Sequence, residues 1–341
     1  MLNCKLKLNQ DVFLEESEKR SPRDAFGSTL TELAGKNESI VALVADLSES
    51  VKLKDFGEKY PNRFIQTGIA EQNMCSISAG LAVEGNIPFL VSHAVFLTYR
   101  GWDQIRLSIC MNNLNVKICG SHEGFSNGPD GASAQPLEDI AIMRVLPNIT
   151  VINPVDYEQT KKVVYEMSKH NGPVYLRYSK AETPNITTED TPFMIGKAYT
   201  LVEGTDITIV SCGTITYEAL VAVKNLREKY KINAELIASP TIKPLDKETV
   251  LESVRKTKIC VTVEEHQITG GLGGAISELL SESLPSPLLR IGVQDTFGES
   301  GSYADLKDKY GLNSHHIEEK IMNFMGRANK ISSVLKEREI K

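Results

Sequence analysis

Residues 63–92 read RFIQTGIAEQNMCSISAGLAVEGNIPFLVS. A short apolar run at 63–67 ends in a turn at Gly68, and a helical pattern begins at Glu71. Over residues 71–84, Met74, Ile77, Leu81 and Ala82 recur at the spacing of one helix face, and a second apolar run follows at 87–92. Strand, turn, helix and strand within about 30 residues make a βα unit of a parallel sheet.

The same rhythm extends in both directions. Further strands are expected at 40–45, 115–120, 150–153 and 174–177, with helices at 99–111, 136–146 and 156–169. The last of these opens on a capping aspartate, Asp156. Residues 180–196 break the pattern with two prolines and four threonines, which is a linker signal. Beyond it, strands at 206–212, 234–238, 259–264 and 288–293 alternate with helices at 217–230, 246–257 and 274–281. Helical patterns at 303–310 and 318–337 close the chain. The expectation is an α/β protein of two domains: a doubly wound sheet over residues 20–185, a linker over 186–196 and a smaller α/β domain over 197–341.

Composition narrows the function classes. The 341 residues are 41% hydrophobic and 24% charged, which excludes a disordered, collagen-like or coiled-coil chain. A net charge of −6 argues against a nucleic-acid footprint. Residues 1–20 lack the apolar core of a signal peptide, and no apolar run is long enough to span a membrane. The six cysteines (Cys4, Cys75, Cys110, Cys119, Cys212 and Cys260) show no zinc-ligand spacing; four of them sit in apolar runs and read as small buried hydrophobes, which implies a reducing compartment. The expectation is a cytoplasmic protein without membrane or nucleic-acid partners.

Few residues stand out chemically. Glu71 sits where a strand has ended and a helix begins, at the edge where open α/β sheets bind ligands. It either decorates a helix start, favoured by the dipole, or faces a ligand. His122 lies in the polar, glycine-rich stretch GSHEGFSNGPDGASAQ, a loop long enough to be functional. It reads either as a satisfied polar residue or as a catalyst. Phe96, after another strand end, reads by itself as core. Gly270–Gly274 (GGLGG) fails the GxGxxG spacing, because the third glycine would fall at Ile276, so helix–strand packing explains it better. His315 and His316 have no ligand partner at metal spacing and read as surface.

Taken together the motifs say more. RFIQTGIAEQNM, the Asp46 of ADLSES, the Phe96 region with WDQIR, SHEGFSNGPDGASAQPLEDIA, LPNITVINP, IKPLD, TVEEH, GGLGG and DTFGESG are all present. Over residues 20–315 the chain resembles the C-terminal half of a transketolase, of the split kind made from two chains. The resemblance implies a pyrimidine-type, thiamine-diphosphate-binding doubly wound sheet followed by a transketolase C-terminal-like domain. It implies transfer of a two-carbon ketol group from a ketose phosphate to an aldose phosphate, as in the pentose phosphate pathway.

The resemblance also assigns residues. Glu71 matches the glutamate that activates the aminopyrimidine through N1′, which lets the cofactor serve as its own base. Phe96 matches the aromatic that stacks on the pyrimidine, with Tyr99 as the alternative if the loop is offset, and Asp46 matches an aspartate near the thiazolium. His122 and Asp130 match the loop residues that touch the sugar hydroxyls, His122 with a share in proton transfer. Arg23, Ser50, Arg177 and Lys180 match phosphate-holding positions, the two guanidinium forks being best suited.

Two departures bear on substrate. Ala134 stands where many relatives have histidine or glutamine, and Pro129 replaces a common acidic residue. The GDG motif that holds the cofactor's diphosphate and Mg²⁺ is missing, since the nearest string is Pro129-Asp130-Gly131. The implied partner is therefore a separate N-terminal transketolase subunit carrying that motif. It would share the thiamine diphosphate and hold the Mg²⁺, and two copies of each chain would form a heterotetramer. The alternatives are the beta-type subunit of a 2-oxo acid dehydrogenase, deoxyxylulose-phosphate synthase, which is normally one long chain, and a non-catalytic assembly subunit. GIAEQNM and FGESG favour transketolase, and an intact set of Glu71, Phe96 and His122 argues against a scaffold.

Overall fold

The computed structural model describes the backbone of residues 1–339 and the side chains of residues 1–326. In chain order the first region holds β1 (Lys19–Arg20), α1 (Pro22–Ala34), β2 (Ile40–Val44), α2 (Lys54–Lys59), β3 (Phe64–Gln66), α3 (Glu71–Val83) and β4 (Ile87–His93). It continues through α4 (Ala94–Gln104), β5 (Lys117–Ser121), α5 (Asp139–Arg144), β6 (Thr150–Ile152), α6 (Tyr157–Lys169), β7 (Val174–Tyr178) and β8 (Thr183–Pro184). After the linker come β9 (Tyr199–Val202), β10 (Ile207–Ser211), α7 (Thr216–Tyr230), β11 (Ala234–Ala238), β12 (Thr241–Lys243) and α8 (Lys247–Thr257). The chain ends with β13 (Cys260–Gln267), α9 (Leu272–Ser283), β14 (Leu288–Val293), α10 (Tyr303–Lys309) and α11 (Ser314–Glu339).

Two main sheets result. The first has strand order β12-β6-β7-β5-β4-β2-β3, parallel except for β12. The second has order β14-β13-β10-β11-β9, parallel except for the edge strand β9. Helices cover both faces of each sheet, so the central strands read as continuous apolar runs; Ile40–Val44 is buried at every residue. One face of the first sheet packs Phe26, Leu30, Phe56 and Phe89, and the other packs Leu43, Met74, Leu90 and Ile118. That second cluster runs on into Val210, Ile237, Val254 and Leu272, so the two sheets share a hydrophobic core.

Several elements differ from the sequence reading. Helix α1, started by Pro22 at its first position, lies in a segment where no element was expected, although it buries Phe26 and Leu30. Helix α4 begins at Ala94, not near residue 99, and runs on into a π-helical turn at Ile105–Cys110. Phe96 thus falls in its first turn. Strand β12 leaves the second region and pairs antiparallel with β6 of the first sheet. In return, Leu8 and Val12 of the N-terminal segment enter the core of the second sheet, and the Asn3 amide donates to the Leu201 carbonyl at 2.8 Å. The linker is also pinned: the buried Asp156 carboxylate accepts from the amides of Ile186 and Thr187 at 2.8 and 2.6 Å. None of the helices among the described residues is long and apolar enough to cross a membrane.

Candidate active site

In the first sheet the chain passes from β2 outward to β3 and then returns to the other side of β2 as β4. This reversal opens a crevice beyond the carboxyl ends of β2 and β4, the usual ligand position in such sheets. Asp46 and Ser50 follow β2, Glu71 follows β3, His93 ends β4 and Phe96 follows it, His122 follows β5 and Lys180 follows β7. Register fixes the middle of the group. His93 is the Cα partner of Ser121, which brings the next residue, His122, beside it.

His93 is the hub, and the sequence reading missed it. Its Nε2 lies 3.0 Å from the Ser50 hydroxyl. Its ring stacks on Phe96 with centroids 5.6 Å apart and on His122 at 3.7 Å. Its Nδ1 is buried without a hydrogen-bond partner. The signal was a histidine one residue past an expected strand end. Burial, with help from Lys180 and Arg23, lowers His93 to about 4. Burial, then the neighbouring His93, Lys180 and Arg23, lowers His122 to about 2. Both rings are therefore neutral at physiological pH.

Glu71 heads α3 and is 3% exposed. Among the described residues its carboxylate has one partner, the Arg100 guanidinium, with Nη1 at 3.2 Å from both oxygens. Arg100 also lies over the half-buried Phe96 ring, 4.5 Å from its centroid. Arg100 is a second residue the sequence reading did not single out. One helical turn links it to Phe96.

The anion-binding candidates separate. Arg23 donates from Nη1 to the Ser50 carbonyl at 3.0 Å and keeps its buried Nε unpartnered. Lys180 donates to the Asn127 side chain at 2.9 Å, and its charge and that of Asp130 both reach His93. Asp46 is exposed and stands somewhat apart, its amide bonded to the Gln66 side chain at 3.3 Å.

Arg177 is a correction. It is 1% exposed and all five of its N–H groups are taken. Nε donates to Asp139 at 2.8 Å, Nη1 to Glu123 at 3.3 Å and Asn153 at 3.4 Å, and Nη2 to the carbonyls of Pro136 at 3.1 Å and Glu265 at 2.9 Å. It has no donor left for a phosphate. Tyr99 is also corrected as a stacking candidate, because its hydroxyl is engaged with Glu138, donating to the carboxylate and accepting from the amide, while Phe96 is the ring that lies under Arg100, the partner of Glu71.

The second region touches the loop of residues 122–135. Gln135 Nε2 donates to the Glu299 carbonyl at 2.9 Å, and the Gly301 amide donates to the Gly128 carbonyl at 3.2 Å. A Cβ on Gly298 would lie 1.8 Å from Gln135 Oε1, so only glycine fits there. The segment FGESG is thus the backing of the loop that carries Asp130 and Ala134. The GGLGG stretch, in contrast, is a packing device: the Glu264 carboxylate accepts from the Leu272 and Gly273 amides at 2.7 and 2.8 Å, capping α9.

With this geometry in place, residues 18–185 match the family described as "Transketolase, pyrimidine binding domain", and residues 196–317 match "Transketolase, C-terminal domain". The chain belongs to the transketolase family. It is 44% identical over 306 residues to a putative transketolase C-terminal section of Methanocaldococcus jannaschii, covering 89% of this chain and 96% of that one. It is 42% identical to a 6-deoxy-6-sulfo-D-fructose transketolase subunit of Clostridium sp., over 86% of this chain and 91% of that one. Among solved structures it matches a split-gene transketolase, an inactive beta4 tetramer, at 43% identity and a TM-score of 0.83, over 90% of this chain and 98% of that one. This is a transketolase-family C-terminal subunit, of a family that depends on thiamine diphosphate.

Proposed function

We propose that this chain is the pyrimidine-binding half of a two-chain transketolase, which moves a two-carbon ketol group from an anionic ketose to an aldose phosphate. The observation that carries the reading is Glu71, a carboxylate 3% exposed at a helix N-terminus, beside an aromatic face and with one weak partner. A buried carboxylate that is so little satisfied, next to Phe96, fits a flat heteroaromatic base carrying a ring N–H. Thiamine diphosphate, when bound, supplies a readily deprotonated thiazolium carbon and an aminopyrimidine that can take its proton.

The residues of this chain then have separate tasks. Glu71 holds the pyrimidine N1′, and Phe96 lies along the ring. Asp46 faces the thiazolium. Lys180 and Arg23, with Ser50, hold the substrate anion, where a charged donor is worth more than a neutral one. Asp130 orients the sugar hydroxyls. His122, uncharged at neutral pH, is able to take a proton from a hydroxyl and return it.

Among the described residues no cluster of three His, Cys, Asp or Glu side chains could hold a metal. Because the GDG motif is missing from this sequence, we assign Mg²⁺ and the diphosphate to a partner subunit that carries it, in a heterotetramer of two copies of each chain acting in the cytoplasm. Ala134 leaves the substrate end less polar than in many relatives. The relative named for a sulfonated sugar, at 42% identity, supports a donor other than xylulose 5-phosphate, with its anion still on Lys180 and Arg23.

The test is ketol transfer from xylulose 5-phosphate to ribose 5-phosphate, with a 6-deoxy-6-sulfo-ketose as second donor, in the presence of thiamine diphosphate and Mg²⁺. The chain would be assayed alone and mixed with the GDG-containing subunit of the same genome. Activity in the mixture alone is expected. Activity from the chain alone, or none from a proven complex with either donor, would overturn the reading.

A further inference from the structure

His122 has a φ of +63°, in the left-handed region that few residues other than glycine occupy, histidine more readily than most. Such a residue keeps one position only when its surroundings over-determine it. The backbone side of that constraint is visible. Glu123, the next residue, is 1% exposed and accepts from the Thr214 hydroxyl at 2.7 Å and amide at 3.3 Å, from Asn153, and from Arg177. That anchors the chain just after the histidine. It leaves the imidazole itself free to rotate.

Two groups act on the ring. Ser121 Oγ lies 2.7 Å from Nδ1, and the His93 ring lies against its face at 3.7 Å with a 31° tilt. His93 is itself held by Ser50 on its Nε2 and lies nearly parallel to the Phe96 ring, with centroids 5.6 Å apart. Two charged imidazoles would repel at this distance. Burial and the cations Lys180 and Arg23 keep both neutral, against the opposite pull of Asp130 and Glu71 on His93, so the stack is free of that cost.

We infer that His93 is the positioning residue of His122: its ring, packed against both Phe96 and His122, fixes the plane of the His122 imidazole so that Nε2, the nitrogen not engaged by Ser121, faces the sugar. The inference rests on the reading of His122 as the sugar-facing histidine. The ring plane, not the His93 nitrogens, does the positioning, so an aromatic replacement conserves the function and a small one removes it.

The experiment uses ¹⁵N-histidine-labelled full-length chain with the partner subunit, as parent, His93→Ala and His93→Phe. Long-range ¹H–¹⁵N spectra of the His122 ring are followed from pH 8 to pH 5, alongside kcat, KM and thiamine diphosphate affinity. In the parent, His122 is expected to stay in one neutral tautomer over the whole range. In His93→Ala the His122 ring stays neutral, because burial, Lys180 and Arg23 still act on it, but its ring signals should shift and broaden as the plane is released, with kcat down at least about tenfold and cofactor affinity within about twofold of the parent. His93→Phe should restore the parent His122 spectrum and most of kcat. An unchanged His122 spectrum in His93→Ala overturns the inference, as does a kcat loss matched by an equal loss of cofactor binding. The spectra need no turnover, so they are read even if ketol transfer proves to be the wrong reaction.

Discussion

Arg177 and Arg100 are both arginines paired with carboxylates, and they occupy opposite situations. Arg177 is sealed, at 1% exposed, with five donors meeting five acceptors contributed by both halves of the chain. The Arg100 side chain is 49% exposed and reaches the buried Glu71 through a single nitrogen. A buried guanidinium whose five donors are all engaged is architecture, because it has none left for a ligand. A buried carboxylate whose two oxygens share one nitrogen of a half-exposed arginine keeps acceptor capacity for something else. Spacing in the sequence does not tell these two arginines apart.

The comparison can be broken in several ways. The largest effect is expected from Arg177→Leu, which would leave Asp139 and Glu123 buried without their cation. It should cost about 3–5 kcal/mol in urea unfolding. A loss under about 1 kcal/mol would show that the sealed network is not structural. Lys180→Ala should raise KM for the phosphorylated sugar at least about tenfold, since a charged hydrogen bond is worth about 1.5–3 kcal/mol, while the melting temperature stays put. An unchanged KM would remove Lys180 from the anion site.

Glu265 sharpens the sealed side. Burial, then the charge of Glu123, pushes its carboxyl up to about 7 from the ordinary 4.5. The folded protein keeps a proton that the unfolded chain releases near pH 4.5, so this group's contribution to stability falls as pH rises towards 7 and is level above. Glu265→Gln should remove that slope, and its melting temperature relative to the parent should climb by a few degrees between pH 5 and 7.5. A flat difference would mean that no charge is being buried there. The smallest effect belongs to Tyr99→Phe, which loses a hydrogen bond to Glu138 at the surface. It should change stability by about 0.5–1 kcal/mol and turnover by less than about twofold; a large loss of cofactor affinity would restore Tyr99 to the pyrimidine.

Much of this was legible beforehand. The βα alternation exposed the strands because both faces of each sheet are covered, so apolar runs survive as runs. Glu71 was legible because a strand end, a glycine and a helix start leave a short list of residues facing the crevice. The missed features depend on long-range geometry. Helix α1 mixes Asp24, Thr29 and Thr31 with its apolar residues, which blurs its period. Strand β12 has three residues and exists because β6 offers an edge from the other half of the chain. The sealing of Arg177 requires Glu123, Asp139, Asn153 and Glu265, which only the assembled sheets bring together. The His93–His122 stack follows from the register of β4 on β5, which no single segment encodes.

The claim at the centre of this account is that Glu71 is there for chemistry and not for the fold. Turnover of the reconstituted two-chain enzyme carrying Glu71→Gln tests it most directly, with the variant's melting temperature taken on the same sample. The exposed side of the Glu71–Arg100 pair makes it worth little to stability. The account therefore predicts turnover lowered by at least about a hundredfold with melting unchanged. Turnover close to that of the parent would contradict it.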